Sequence, residues 1–380
     1  MTASNETALQ CIGRHIALTR FTPSSASLGY LRDAFIDTYG CMLIGAQQPV
    51  ALKTRQALEA SGQIHAQASA VVYGTDCRAA PAAAAMANAV AGHALEFDDW
   101  EIPGNTHISV VLLPAILAAG SGRHLGGAAA IDAYLAGYET IARIGEAINL
   151  EHYDRGWHAT ATIGAIGAAA AVARLFSLDP EKTTHALALA TSRALGYNAQ
   201  FGSEAKPVQV GFAVDGGVTA AFLATAGVTG QAHMLEHARG MAAMMSHADV
   251  DRVARAMDKL GPAAAIDEYH IVFKPWPCCG YTHRIMTAML ELRERGIDPG
   301  TIEQIELHLP DMHAGILPFA QPRDRSEALF SLPFCAAMAL LTGNLTITDI
   351  AAEAWHREDV RALIDRTVVR PFKVALRVVI

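Results

Sequence analysis

Between residue 24 and about residue 260, apolar residues return three and four positions apart in segment after segment, and no alternating run of β-branched residues interrupts them. A side-chain period near 3.6 cannot keep one face of a strand buried, so this stretch is committed to helices packed on helices. The pattern places helices at 24–44, 49–61, 81–98, 108–121, 127–149, 159–176, 207–228, 232–238 and 249–259. Another segment, SLDPEKTTHALALATSRALG, carries its own punctuation. Asp179 suits an N-cap, Pro180 the first helical position and Glu181 the helix dipole, and Gly196 can close the end. Apolar residues make up 52% of the chain against 17% charged and 7% aromatic, which excludes disorder and coiled coil.

At 380 residues the chain exceeds one ordinary core, and its pattern changes near residue 267. IDEYHIVFKPWPCCGYTH brings β-branched and aromatic residues, a helix follows at about 282–295, and TIEQIELHLP alternates at period two with Ile302, Ile305, Leu307 and Leu309 in the pattern. LFSLPFCAAMALLTG reads as a helix, 346–355 as a capped segment and VALRVVI as a last strand. The fold expected is mainly α: an all-helical domain over 1–266 and a smaller α+β lid domain over 267–380.

The formal net charge is −8, with no run of lysine or arginine, so a nucleic-acid backbone has nothing to bind. The apolar stretches 80–92, 159–173 and 216–235 are dominated by small residues or broken by Gly, Thr and Gln, and they read as core helices, not membrane spans. The N-terminus shows no basic region followed by an apolar run, so a cytoplasmic location is expected. Six cysteines form no CxxC pair, and reduced thiols are expected.

Chemistry concentrates in four places. His93-Ala-Leu-Glu96-Phe-Asp98-Asp99-Trp100-Glu101, followed by Asn105-Thr106-His107, sets four carboxylates beside histidines at the end of an apolar helix. Burying such groups is costly unless they are paired or used, so the cluster is either a helix end reaching solvent or a carboxylate orienting His107 for proton transfer. A metal site is the other option, although the DDxxD pattern for Mg²⁺ fails because position 102 is isoleucine. Next, Tyr153-Asp-Arg155-Gly-Trp157-His158-Ala-Thr160 runs from a loop into an apolar helix, where His158 could face an anion at the helix N-terminus or simply pack. Third, Lys206 stands alone between apolar helices in FGSEAKPVQVGFAVDGG, as a surface lysine would.

The fourth place is Phe273-Lys274-Pro275-Trp276-Pro277-Cys278-Cys279-Gly280-Tyr281-Thr282-His283, a proline-stiffened loop bracketed by Lys274 and His283. Nothing near it in sequence supplies a base for a thiolate, which argues against cysteine catalysis. No GxGxxG, GxxxxGK[ST] or GxSxG stands in a usable context, so no organic cofactor is expected.

Taken in order, GHALEFDDW…THISVVLLPAILAAG, GYETIARIGEAI, RGWHATATIGAIGAAAAVARLFSLDPEKTTHALALATSRALG, AKPVQVGFAVDGGVTAAFLA and FKPWPCCGYTH resemble the MmgE/PrpD family over nearly the whole chain. That family includes 2-methylcitrate dehydratase, cis-aconitate decarboxylase and iminodisuccinate epimerase. The resemblance implies a homodimer, no cofactor or metal, and a small polycarboxylate substrate. It implies catalytic roles for Asp98, His107, His158 and Lys206, and substrate binding by Glu96, Trp100, Lys274, Tyr281 and His283. The reaction implied is removal or return of a proton α to a carboxylate, a hydro-lyase of the 2-methylcitrate dehydratase kind first, with epimerisation or decarboxylation as alternatives.

The chain departs from the family pattern at Glu96, where Asp is common, at Trp100, where Thr is common, and at His107-Ile108-Ser109, where the family has His-Pro-Ser. These departures point to a substrate other than the usual one. Family members also run some tens of residues further, so the second domain is expected to be truncated at its C-terminal end. The rival readings are a Mg²⁺-dependent helical enzyme acting on diphosphates and a non-catalytic homologue that only binds.

Overall fold

A computed structural model of the chain describes residues 6–123, 125–261 and 264–373. The chain divides into two compact units: Met1–Ala94, Asp98–Asn198 and Pro207–Phe273 form the first, and Leu95–Phe97, Ala199–Lys206 and Lys274–Ile380 the second.

The first unit is built from α1 (Ala8–Leu18), α2 (Ser25–Gly45), α3 (Pro49–Ala60), α4 (Pro81–His93), α5 (Ile108–Ala119), α6 (Gly127–Ile148), α7 (Glu151–Asp154), α8 (Ala159–Leu175), α9 (Pro180–Thr191), α10 (Ala205–Thr225), α11 (Met241–Met245), α12 (Val250–Met257) and α13 (Ala265–Tyr269). A two-residue hairpin, β1 (Ala70–Val71) against β2 (Arg78–Ala79), is its small strand pair. At the centre α6 packs on α8, and every residue of α8 from Ala159 to Ala173 is buried. That is why the segment shows no polar stripe: a helix covered on all sides has none to show.

Close packing of α6 depends on residues without a side chain. A Cβ at Gly145 would lie 2.5 Å from the backbone of Gly104, so at this point α6 touches the 101–106 turn backbone to backbone. Another strut is Arg174 of α8, which holds Asp132 and donates to the carbonyls of Ile16, Ala17 and Thr19 at 2.8–2.9 Å. It places a guanidinium on the last turn of α1, where the helix dipole favours positive charge.

The expected helices over 24–44, 49–61, 108–121, 127–149, 159–176 and 249–259 are present within a few residues. The segment 81–98 stops at His93, the helix from Pro180 stops at Thr191, and 232–238 is a run of turns, not a helix. α1 lies outside the expected set, although its capping box is local: Thr7 Oγ1 accepts from the Gln10 amide while Gln10 Oε1 accepts from the Thr7 amide. The division falls at Phe273, later than 266, because α13 is tied into the helical unit. Ala265 N donates to Glu139 at 2.6 Å, and Asp267 accepts from Ser24 N and Ser27 Oγ. α10 is long and apolar enough to cross a membrane by length and composition, and 61% of its apolar window is buried.

The second unit contains α14 (His283–Glu294), β3 (Ile305–Pro310), α15 (Asp311–Ile316), α16 (Arg325–Ala328), α17 (Leu332–Thr342), α18 (Ile347–Ala351), α19 (Glu358–Asp365) and β4 (Thr367–Phe372). β3 buries Ile305, Leu307 and Leu309 in alternation, as expected, while Ile302 precedes the strand. It pairs in parallel with β4, from Ile305 opposite Thr367 to Pro310 opposite Phe372. The expected strand at VALRVVI, 374–380, lies outside the described residues.

Gly145→Ala should cost about 1–3 kcal/mol, the range for overpacking a filled core. Gly127→Ala in the same helix, where a Cβ meets nothing within 4 Å, should be neutral or stabilising. Chemical denaturation of both variants checks this; equal stabilities would refute the packing argument.

Candidate active site

Four acidic residues in the stretch 96–101 are buried, and each has a different partner. In the helical unit Asp98 Oδ2 lies 2.7 Å from His93 Nδ1 and 3.1 Å from His107 Nδ1. Burial alone would raise the pKa of Asp98, but the two imidazoles outweigh it and hold the carboxyl well below its ordinary range. An ionised carboxylate only accepts hydrogen bonds, so both Nδ1 atoms face it as N–H donors. The His93 and His107 rings meet edge to face at 4.6 Å, and the His158 ring lies 6.1 Å from that of His93. Two imidazoles thus face one buried anion, and a third stands behind His93.

Asp99 turns the other way. Burial pushes it up to about 8, although its carboxylate takes hydrogen bonds from the Ser109 amide and hydroxyl at the start of α5. Ser109 Oγ in turn lies 2.6 Å from Tyr134 Oη. Glu101 is likewise pushed up to about 7 by burial, against donation from Gly104 N at 2.9 Å, Thr106 N at 3.1 Å and Thr106 Oγ1 at 2.6 Å. It closes the turn that delivers His107 to the N-cap of α5. At Gly104 a Cβ would lie 2.3 Å from Glu101 Oε1, so the turn needs glycine there. The reading of this stretch as a solvent-facing helix end is overturned, because Asp98, Asp99 and Glu101 are fully buried.

The fourth carboxylate belongs to the second unit. Glu96, at φ +52°, is gripped by Lys206 Nζ on Oε1 and by Lys274 Nζ at 3.3 Å from Oε2, and Lys274 also donates to the Glu96 carbonyl at 2.9 Å. Both lysines are buried, which overturns the reading of Lys206 as a surface residue. The Lys206 ammonium stands 5.1 Å from the Phe201 ring centroid and 5.3 Å from that of Phe330, a cation–π setting that compensates lost hydration. Cys279 lies beside this group, and burial together with the Glu96 charge pushes its thiol up to about 12, far from a nucleophilic thiolate.

His158 is the N-cap of α8; its amide donates to Gly196 O at 2.9 Å and its Nδ1 lies 2.8 Å from Gln209 Oε1. Trp100 is partly buried, and its backbone pairs with Val272 at 3.0 and 2.9 Å. Tyr281 stacks on His313 with centroids 4.2 Å apart, and His283 meets Trp276 edge-on. The structure therefore joins Asp98 with His107 in one centre and Glu96 with Lys206 and Lys274 in another, while Tyr281 and His283 engage other partners. Two residues went unassigned by sequence reasoning. His93 ends α4 five positions before Asp98, a visible signal, whereas Gln209 is a neutral residue 51 positions from its partner.

Among the described residues, His93, Asp98 and His107 offer three ligand atoms within 4.8 Å of one another, the set a cation would need. The Asp98–Asp99 pair does not converge on such a site, since Asp99 is turned to Ser109. Metal binding through the Nδ1 atoms that face Asp98 would require their protons to leave.

The helical unit thus carries a histidine–aspartate centre, and the second unit a glutamate held between two lysines. Residues 12–253 match the MmgE/PrpD N-terminal domain and residues 276–373 the MmgE/PrpD C-terminal domain, so the chain belongs to the MmgE/PrpD family. Among curated relatives it is 28% identical over 311 residues to the cis-aconitate decarboxylase of Mus musculus (78% of this chain, 62% of the relative). It is 29% identical over 315 residues to that of Homo sapiens (78% and 63%), and 28% identical over 325 residues to that of Aspergillus terreus strain NIH 2624 (80% and 66%). The chain thus spans less than two thirds of the length of these relatives.

Asp99 offers a test of the buried-carboxyl assignment. Its folded pKa of about 8 lies above the ordinary 3.8, so burying the neutral acid stabilises the fold below about pH 4, and that contribution fades as pH rises to about 8. Asp99→Asn should therefore show a flatter dependence of unfolding free energy on pH between about 5 and 8 than the parent chain, measured by urea denaturation. Parallel curves would show that Asp99 is ionised in the fold.

Proposed function

We propose that the chain is a cofactor-independent enzyme that moves a proton on a carbon adjacent to a carboxylate of a small di- or tricarboxylate. The observation that carries this reading is the pair His93 and His107 on the buried carboxylate of Asp98, with the His158 ring 6.1 Å from that of His93. An imidazole titrates near neutral pH and can both take and give a proton, and a neighbouring carboxylate fixes its orientation. His107 and His158 are assigned the proton transfers, with Asp98 holding His107. Lys206 and Lys274 are assigned to the carboxylates of the substrate, and Glu96 is the internal anion that occupies them at rest.

Elimination of water, epimerisation and loss of carbon dioxide share this machinery and differ in what leaves the carbon skeleton. The residues of the two centres favour none of the three, and a 2-methylcitrate dehydratase role has no specific support. The names of the relatives put decarboxylation of the cis-aconitate type first: a carboxylate leaves as carbon dioxide, its bonding pair remains on carbon, and a histidine protonates that carbon. Trp100, Tyr281 and His283 are kept as candidates for shaping specificity, since their rings and main chains are engaged elsewhere in their own units.

Proton NMR of the metal-free protein in D₂O, with cis-aconitate, 2-methylcitrate, citrate and iminodisuccinate in turn, should show conversion or C–H exchange of one of them. His158→Ala should lower turnover by about 10² or more. Lys274→Met should raise KM far more than it lowers kcat. Full activity in His158→Ala would remove the assigned role, and stabilisation by polycarboxylates without turnover of any would favour a binding homologue.

A further inference from the structure

His158 and His107 are held by different kinds of partner, and the difference assigns their protons. Gln209, on α10 and buried, presents its side-chain amide between two groups: Nε2 donates to the carbonyl of Tyr197 at 3.2 Å, and Oε1 lies 2.8 Å from His158 Nδ1. A backbone carbonyl only accepts. Turning the amide over would set its oxygen against that carbonyl, so Tyr197 fixes which end of the amide faces His158. An amide oxygen also only accepts, so His158 Nδ1 must carry the proton and the lone pair must sit on Nε2.

The surrounding backbone is shaped for this contact. Tyr197 is bridged to Trp157, whose ring stacks on its own at 5.2 Å, and His158 N is anchored on Gly196 O. A Cβ at Gly196 would lie 3.0 Å from Gln209 Oε1 and 3.3 Å from His158 Cβ, closer than most side chains tolerate. The other titratable groups near the ring are His93, backed by Asp98, and His152, joined to Thr162 Oγ1 at 2.9 Å.

We propose that Gln209 is a positioning residue that locks His158 as the Nδ1–H tautomer and so makes Nε2 the atom through which His158 exchanges a proton with the substrate. A neutral amide orients an imidazole without adding negative charge, and the N-terminal end of α8 disfavours its protonated form; a carboxylate does the opposite for its partner. The inference rests on the proton-transfer reading for its consequence, although the tautomer itself is a property of the resting protein.

Two-bond ¹H–¹⁵N correlation spectra of ¹⁵N-histidine-labelled protein report the tautomer directly, with His158 assigned among the 16 histidines by its loss in His158→Gln. A protonated Nδ1 and an unprotonated Nε2 are expected for the neutral ring. In Gln209→Met that preference should collapse to a mixture or invert, and kcat should fall at least tenfold with KM changed less than threefold. Gln209→Glu should keep the Nδ1–H tautomer and move the limb of the pH–rate profile that His158 controls upward by about 1–3 units. An Nε2–H tautomer in the parent chain, or an unchanged tautomer in Gln209→Met, overturns the proposal. If the spectra agree but His158→Ala retains full activity, the catalytic reading fails and the tautomer assignment stands.

Discussion

A fully buried aspartate that stays ionised is the condition on which the rest of the histidine centre depends. Removing a carboxylate from water is expensive, and Asp98 keeps its charge only because the imidazoles of His93 and His107 face it at 2.7 and 3.1 Å. The neighbours in sequence show what happens without such partners. Asp99 and Glu101 receive hydrogen bonds from hydroxyls and backbone amides but no cation, and both are pushed up toward or beyond neutral pH. Hydrogen bonds from hydroxyls and amides do not offset desolvation here; two facing imidazoles do.

The helices explain why these groups meet. α8 is buried on every side and consists largely of Ala, Gly and Thr, so it has almost nothing with which to do chemistry along its length. Reactive side chains instead stand at helix ends: His93 is the last residue of α4, His107 the N-cap of α5 and His158 the N-cap of α8. The dipoles at the two N-caps disfavour a protonated imidazole. Asp98 counters that field at His107, whereas Gln209 at His158 does not.

Much of this was legible in the residues. Periodicity located the long helices because a 3.6-residue repeat survives even where nearly every side chain is apolar, and the alternation of Ile305, Leu307 and Leu309 located a strand. Helix ends were less legible, since α4 ends at His93 with no glycine or proline after it to mark the stop. Asp98, His107, Lys206 and Lys274 were legible through ordered motifs. Which carboxylate meets which cation was not, because four acids within six residues carry the same chemistry until the fold separates them. Gln209 left no trace at all: its effect on His158 is set by Tyr197, through a backbone carbonyl that any residue possesses.

The lysine pair raises a question of competition. Lys206, Lys274 and Glu96 together carry one net positive charge, and the cost of drying both ammonium groups is already met by Glu96 and by the Phe201 and Phe330 rings. On the proposed reading, a ligand carboxylate arriving there must displace an anion that is covalently part of the chain and therefore present at high effective concentration. A single weakly held carboxylate is outcompeted, whereas a ligand with several, anchored through more than one, can offset the exchange. Selection for polycarboxylates over monocarboxylates then follows from the internal anion, and shortening Glu96 to Asp would loosen the grip of both lysines and weaken that selection.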